Sequence, residues 1–458
     1  MYSRRHLFFF HPRGRAMRYS YRPVLDMLED RVTPATLKLY PAGVFISNPS
    51  TATLTLTATA NNTFTLTDGA LSVNFTAGGN IFITGSNKAD TINVDLGGNT
   101  FTGNFFIQTG NGNDQVNLSN GTIGGSVNAM TGNGNDAVFL SSAGALTVGG
   151  NVSVNGGLGT DSVLFLPTSA INGNLMVLNG NFVASDIPFT VGGNMLVNSS
   201  LEGGNTTIAL GVNVNGNATF MTGSGNDLVR LNEGGNVAGN LNVSMGAGND
   251  SIQQGSAIGP TGTFNVGGNE TVDAGSGNDD FQIGNEGSTI SGNLNLNGGD
   301  GDNTYNLPTT LAVSGNLTVT GGNGINDLST APVNASVGGA AYFRLGNGNS
   351  TVTFGGTFNA AGGVSLQLGN GTNAVTFQAG SNVGGILQMR TGNGNNSLTL
   401  EAAQLYLADV LFGNGNDTFT ANAGATLNGT INGGTGTDTF VQAGATLLPT
   451  LTIASFEA

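Results

Sequence analysis

The chain has 458 residues, a formal net charge of −15, no Cys, no Trp and only two His, His6 and His11. Without Cys there are no disulfides and no thiolate zinc site, and without His or Cys beyond the first dozen residues there is no Ser/His, Cys/His or His-metal chemistry in the body. No apolar run approaches the ~18 residues of a membrane-spanning helix.

Charge is unevenly divided. Seven of the 12 Lys and Arg residues precede residue 37, and the remainder carries five basic against 24 acidic residues. Such an acidic body repels nucleic acid and anionic lipid, and it suits cations or basic partners. Residues 1–36 are basic and aromatic and read as a disordered export leader, with Met1 or Met17 as the start. Leu7-Phe8-Phe9-Phe10 is too short for a signal-peptide core and ends at His11-Pro12. The stretch Arg22-Pro23-Val24-Leu25-Asp26-Met27-Leu28-Glu29-Asp30-Arg31-Val32-Thr33-Pro34-Ala35-Thr36 resembles the Leu-Glu-Asp/Pro-Arg leader of large surface or secreted proteins of planctomycete bacteria. That resemblance covers about fifteen residues. It implies export to the cell surface or beyond, and says nothing of mechanism.

Residues 37–84 are Thr-rich and alternate strictly, as in Leu54-Thr55-Leu56-Thr57 and Phe64-Thr65-Leu66-Thr67, which predicts first rungs or a strand-built cap. A flat Thr array at Thr51 to Thr57 raises a third reading, ice or mineral binding, but it lasts only a few rungs.

From about residue 85 to 446 one phrase returns. Gly-x-Gly-Asn-Asp or a close variant ends at Asp114, Asp136, Asp161, Asp227, Asp250, Asp279, Asp417 and Asp438. Weaker markers fall at Asp90, near 183 and 206, and at Asn303, Asn326, Ser350, Asn373 and Asn396. The mean step is about 23 residues, a period that signals one structural unit stacked on itself. Each unit holds three short apolar pulses, for example Val138-x-Leu140, Val148 before Gly149-Gly150-Asn151, and Val152-x-Val154. Gly and Asn corners tolerate positive φ, and no 3.6 spacing appears. The expected fold is all-β, a right-handed parallel β-helix (β-solenoid) of about 15 rungs, roughly 70 Å long at the strand spacing. Residues 447–458 are the expected C-terminal cap, needed because an open solenoid end invites end-to-end pairing.

Two copies, Gly156 to Val163 and Gly433 to Phe440, match Gly-Gly-x-Gly-x-Asp-x-apolar in full. They resemble the repeats-in-toxin family, whose nonapeptides bind Ca²⁺ in the turns of a parallel β-roll. The resemblance implies that Asp114, Asp136, Asp161, Asp227, Asp250, Asp279, Asp417 and Asp438 are calcium ligands, with turn carbonyls beside them. It departs from that family in carrying one phrase per 23 residues instead of tandem nonapeptides. The residues themselves leave two readings open. Stacked carboxylates about 5 Å apart repel by ~1–3 kcal/mol per pair, which a bridging Ca²⁺ removes; alternatively Asp and Asn are turn formers that bond backbone.

Some β-helices are polysaccharide lyases or hydrolases, so a polysaccharide-active enzyme is the alternative function. Those enzymes wall a groove with long insertions, whereas these rungs are even. The basic residues past the leader are only Lys38, Lys88, Arg230, Arg344 and Arg390. Arg344 and Arg390, two rungs apart with Gln367 between them, raise an anion-contacting column or a solvated face. The leading expectation is a secreted or cell-surface structural or adhesive β-solenoid, not an enzyme. Calcium and cell-envelope or extracellular polysaccharide or protein are its expected partners.

Overall fold

The computed structural model describes residues 35–457, apart from 41–42, 48, 50–51, 142, 166–168, 233, 257–262, 285–286, 308–310 and 402–403. The leader segment therefore lies outside the described residues, except for Ala35 and Thr36. Every regular element described is a β-strand, and parallel coils stack into a β-solenoid of about 15 turns roughly 23 residues apart.

One turn of the coil is three strands. Gln115–Ser119, Gly121–Ile123 and Val127–Asn133 make one rung, and Ala137–Leu140, Leu146–Val148 and Val152–Leu158 make the next. Each strand pairs in parallel with its counterpart one rung on: Val116 with Val138, Ile123 with Val148 and Val127 with Val152. The register repeats down the molecule, as in Val229 with Ile252, Ile290 with Val313 and Val352 with Val375.

Parallel sheets usually lie buried on both faces and lose their alternation. Here only the inner face is covered, so the strands alternate. Val116 and Leu118 are buried while Gln115 and Asn117 are half-exposed, and the same pattern recurs in strand after strand. The inward residues form one continuous column of Val, Leu, Ile and Phe. Each such side chain contributes about 1.5–3 kcal/mol by leaving water, none of it available to a lone rung. Rings stack from rung to rung along it, Phe354 on its register partner Phe377 at 4.3 Å and Phe165 on Phe189 at 4.4 Å between centroids.

The first strands depart from the coil. Thr36–Tyr40 pairs antiparallel with Gly43–Ser47, which in turn lies parallel to Asn80–Thr84. Thr53–Ala60 stacks in parallel on Thr91–Asp95 and also starts an antiparallel meander through Thr63–Asp68 and Leu71–Thr76. At the other end Thr439–Ala443, Thr446–Leu447 and Thr452–Ala454 stack on the rung before them.

The Gly phrase forms the corner between the third strand and the next first strand. Its second Gly has a physical reason. Gly248 holds φ +142°, and a Cβ there would lie 1.6 Å from the carbonyl oxygen of Gly225 in the rung below. No other residue fits between stacked turns at that approach.

Candidate functional site

The last residue of each phrase shares parity with the buried residues that follow it. Asp114 is in phase with Val116 and Leu118, so its side chain turns into the solenoid and not out toward solvent. The eight aspartates Asp114, Asp136, Asp161, Asp227, Asp250, Asp279, Asp417 and Asp438 are each at most 3% exposed. They line one inner corner of the coil.

They are joined through backbone. The N–H of Asp90 donates to Oδ1 of Asp114 at 2.8 Å, that of Asp114 to Asp136 at 2.7 Å, and that of Asp136 to Asp161 at 2.8 Å. A second run passes from Thr206 to Asp227 (2.6 Å), Asp250 (2.8 Å), Asp279 (2.8 Å) and Asn303 (3.0 Å). A third passes from Ser350 through Asn373, Asn396 and Asp417 to Asp438, whose own N–H meets the Glu457 carboxylate. Each side chain therefore satisfies the amide of the preceding rung and fixes the vertical register. This is a turn-former role with one difference from the local bonding expected of Asp and Asn: the backbone served belongs to the neighbouring coil. The weak marker near 183 also resolves. The residue that accepts from the Asp161 N–H, at 3.0 Å, is Asn181, and Val183 is a core residue two positions later.

Oδ1 is thus committed in all eight. Oδ2 is not: in each of the eight it is buried with no hydrogen-bond partner. Burial pushes the carboxyl groups of Asp136, Asp279 and Asp417 up, with bonds from neighbouring backbone opposing, joined by the Thr131 side chain at Asp136 and the Asn396 side chain at Asp417. Burial pushes Asp161 up to about 6 and Asp250 up to about 7, helped by the adjoining acids of the column. No Lys or Arg pairs with the eight among the described residues.

Ca²⁺ takes about six to eight oxygens, carboxylates prominent among them. The donor set here does not fit such a cage. Each aspartate has one uncommitted oxygen, that oxygen is sealed from solvent, and no three acidic side chains converge among the described residues.

A second buried acid is absent from the repeat pattern. Glu270 is wholly buried, in register with Leu241 below it and Leu294 above, where the other rungs place an apolar residue. Gln254 Nε2 donates to its Oε2 at 3.1 Å, and both remaining oxygens, Gln254 Oε1 and Glu270 Oε1, lack a partner. Burial pushes this carboxyl up to about 7. Only the mismatch of a Glu at an apolar parity position signals it in sequence.

Outside, Arg344, Gln367 and Arg390 do align in register across three rungs. Arg390 is held by Asp409, its Nη2 lying 2.5 Å from Oδ2. Phe45, Phe82 and Phe106 stack face to face along the outer wall at 4.5 and 4.8 Å. The depressions described on the surface are troughs between strands, such as that lined by Thr55, Thr57, Asn93, Asp95, Asn117 and Ser119. No helix among the described residues is long and apolar enough to cross a membrane.

Comparison of the chain with protein families, curated proteins and solved structures returns no match.

Proposed function

We propose that this protein is a structural or adhesive rod of the cell surface or exterior, with its outer wall available to envelope or extracellular polysaccharide or protein. The observation that carries the reading is the repeated parallel stacking: strand follows strand from Asn80–Thr84 to Thr452–Ala454, with local register shifts such as those at Ser185/Phe189 and Leu328/Val333, and the described residues wall no groove. Rod-like repeats present long, even surfaces in place of a cleft. The outer residues of the strands are largely Thr, Ser and Asn, as in Thr351, Thr353 and Thr376, which bond to polar polymers without attracting one another. The leader resemblance and the acidic body support an exterior location. No catalytic role is assigned: the eight repeat aspartates face inward, away from any external polymer.

The test is localisation together with activity. Antibodies raised against the repeat body, applied to intact cells with and without protease shaving, are expected to label the surface or the medium. Purified full chain incubated with acidic and neutral polysaccharides is expected to release no reducing or unsaturated ends. An intracellular signal sinks the exterior reading; polymer cleavage moves the chain to the polysaccharide-active class.

A further inference from the structure

Four rungs replace the aspartate by asparagine, and they show what the buried slot holds. Asn303 Nδ2 donates to the carbonyl oxygens of Gly299 and Gly301 at 3.2 and 3.3 Å. Asn326 does the same to Gly322 and Gly324, and Asn373 to Gly369 and Gly371 at 3.1 and 3.2 Å. Asn396 donates to Gly394 at 2.8 Å. The slot beside the turn is therefore lined by carbonyl oxygens, and it asks for a donor.

The aspartates occupy that slot in the same ladder. Asp279 donates its N–H to Asn303 Oδ1, and Asn396 donates to Asp417 Oδ1. The turn glycines agree: Gly275 and Gly277 hold φ +93° and +142°, and Gly299 and Gly301 hold +62° and +135°. An ionised Oδ2 there would set a bare anionic oxygen, buried and with no Lys or Arg paired to it among the described residues, against acceptors. Leaving a buried charge unpaired is among the costliest arrangements in a protein. A proton on Oδ2 turns the same atom into a donor of the same size as the amide.

We propose that Asp136, Asp161, Asp250, Asp279 and Asp417 are carried in the folded rod as neutral carboxylic acids, each Oδ2–H donating to a turn glycine carbonyl in the slot that the asparagine amide fills. The solenoid is then held by protons and is sensitive to pH. The acidic neighbours of Asp136, Asp161, Asp250 and Asp417 raise the demand for a proton, and burial alone raises it at Asp279. Asp114 adjoins Asp136; Asp136 and Glu202 adjoin Asp161; Asp227 and Asp279 adjoin Asp250; Asp438 adjoins Asp417. Tyr305 stands beside Asp279. The same account covers Glu270, where one proton on Oε1 supplies the donor that Gln254 Oε1 lacks and closes a paired acid–amide ring.

The direction of the pH effect follows. An acid whose folded value lies above its unfolded value adds stability that is complete below the unfolded value and is lost as pH rises through the folded one. Asp161 at about 6, and Asp250 and Glu270 at about 7, place that loss between roughly pH 4 and 7.

The experiment uses the purified full chain. Infrared spectra are taken across pH 5 to 8 for the protonated-carboxyl C=O band, and thermal unfolding is followed by circular dichroism at both ends of that range, with EDTA and with millimolar CaCl₂. The expected results are a protonated-carboxyl band that persists at pH 6 to 7 in the folded state only, a lower unfolding temperature at pH 8 than at pH 5, and no response to calcium. Asp250→Asn and Asp161→Asn are expected to raise the unfolding temperature at pH 8, to leave it unchanged at pH 5, and to weaken the band. A band that is absent at pH 6 with flat stability overturns the proposal. A calcium-dependent rise in wild type that the two variants abolish overturns it in favour of a cation site. The infrared reading needs no variant, so a variant that fails to fold does not remove the test.

Discussion

The stretch from Asp227 to Asp279 and the stretch from Asn303 to Asn396 build the same corner with different chemistry. In both, side-chain oxygens take the N–H of the rung before, as Asp279 does for Asp250 and Asn396 for Asn373, although Asn326 Oδ1 and Ser350 Oγ in the second stretch take none. In the asparagine stretch the second atom of the side chain is a donor with partners, and in the aspartate stretch it is an oxygen with none. The ladder therefore depends on the shared oxygen, and the two residues differ by what they bring to the turn carbonyls. The amide brings its own hydrogens at any pH, and the carboxyl brings one only when protonated.

The largest effect tests whether the corners are indeed the same. Gly248→Val in the aspartate stretch and Gly371→Val in the asparagine stretch both force a Cβ into the rung below, against Gly225 O and Gly348 O, at positive φ. Each is expected to cost more than about 3 kcal/mol, or to abolish folding, since backbone cannot give way as a side chain does. Equal losses by chemical denaturation uphold a common corner. Tolerance in one stretch alone breaks the comparison at its base.

Next comes the acid in the core. Glu270→Leu together with Gln254→Leu extends the Leu column formed by Leu241 and Leu294. Replacing a buried polar pair by apolar residues of similar volume is expected to stabilise by about 1–4 kcal/mol. With the Glu270 carboxyl pushed up to about 7, the gain is larger at pH 8 than at pH 5. Gln254→Leu alone, which leaves Glu270 without its donor, is expected to destabilise. A double variant less stable than wild type at pH 8 would show that the pair is worth more than the packing it displaces.

The fold was legible because its signals are local: the 23-residue period, the strict alternation, and Gly where turns press on turns. The inward aim of Asp114 was equally legible in its parity with Val116 and Leu118. What could not be read was the partner. The Oδ1 of Asp136 serves an amide 22 residues away, and that depends on register between coils, which no local pattern states. The same limit placed the worn marker near 183 when register puts the ladder residue at Asn181. Thr-rich alternation in residues 53–76 likewise cannot distinguish the parallel partner of Thr53–Ala60 from its antiparallel one, because both pairings share a period of two. Glu270 at an apolar position was open to inspection, but its pairing with Gln254 again spans a coil.

A smaller effect sharpens the comparison from the other side. Asn373→Asp introduces a carboxyl where Nδ2 now donates to Gly369, Gly371 and Asn396. At pH 8 the loss is expected to be about 1–3 kcal/mol, the cost of a buried group deprived of its partners. At pH 5 the protonated acid keeps one of those bonds and the loss shrinks. A pH-independent loss would show that shape, not the proton, separates the two residues.

The smallest effect carries the opposite sign, and so serves as the control. Asp409 lies on the outer wall with the Arg390 guanidinium hydrogen-bonded to it, and that bond holds its carboxyl below the usual carboxylate range. A lowered folded value gives stability that is present above the unfolded value and is lost as pH falls through the folded one, so this acid favours the rod at neutral pH where the ladder favours it in acid. The pair is solvated, and Arg390→Ala is expected to cost no more than about 1 kcal/mol. Guanidinium contacts to the Asp409 and Met389 carbonyl oxygens go with it. Measured by thermal unfolding, the loss should be fully present at pH 5 and pH 8 alike and should fade with added salt. The ladder's pH slope between those values should survive the substitution unchanged. If Arg390→Ala instead flattens that slope, the pH dependence belongs to surface charge and not to the buried acids, since an exposed pair that is ionised throughout the range has no proton to exchange there.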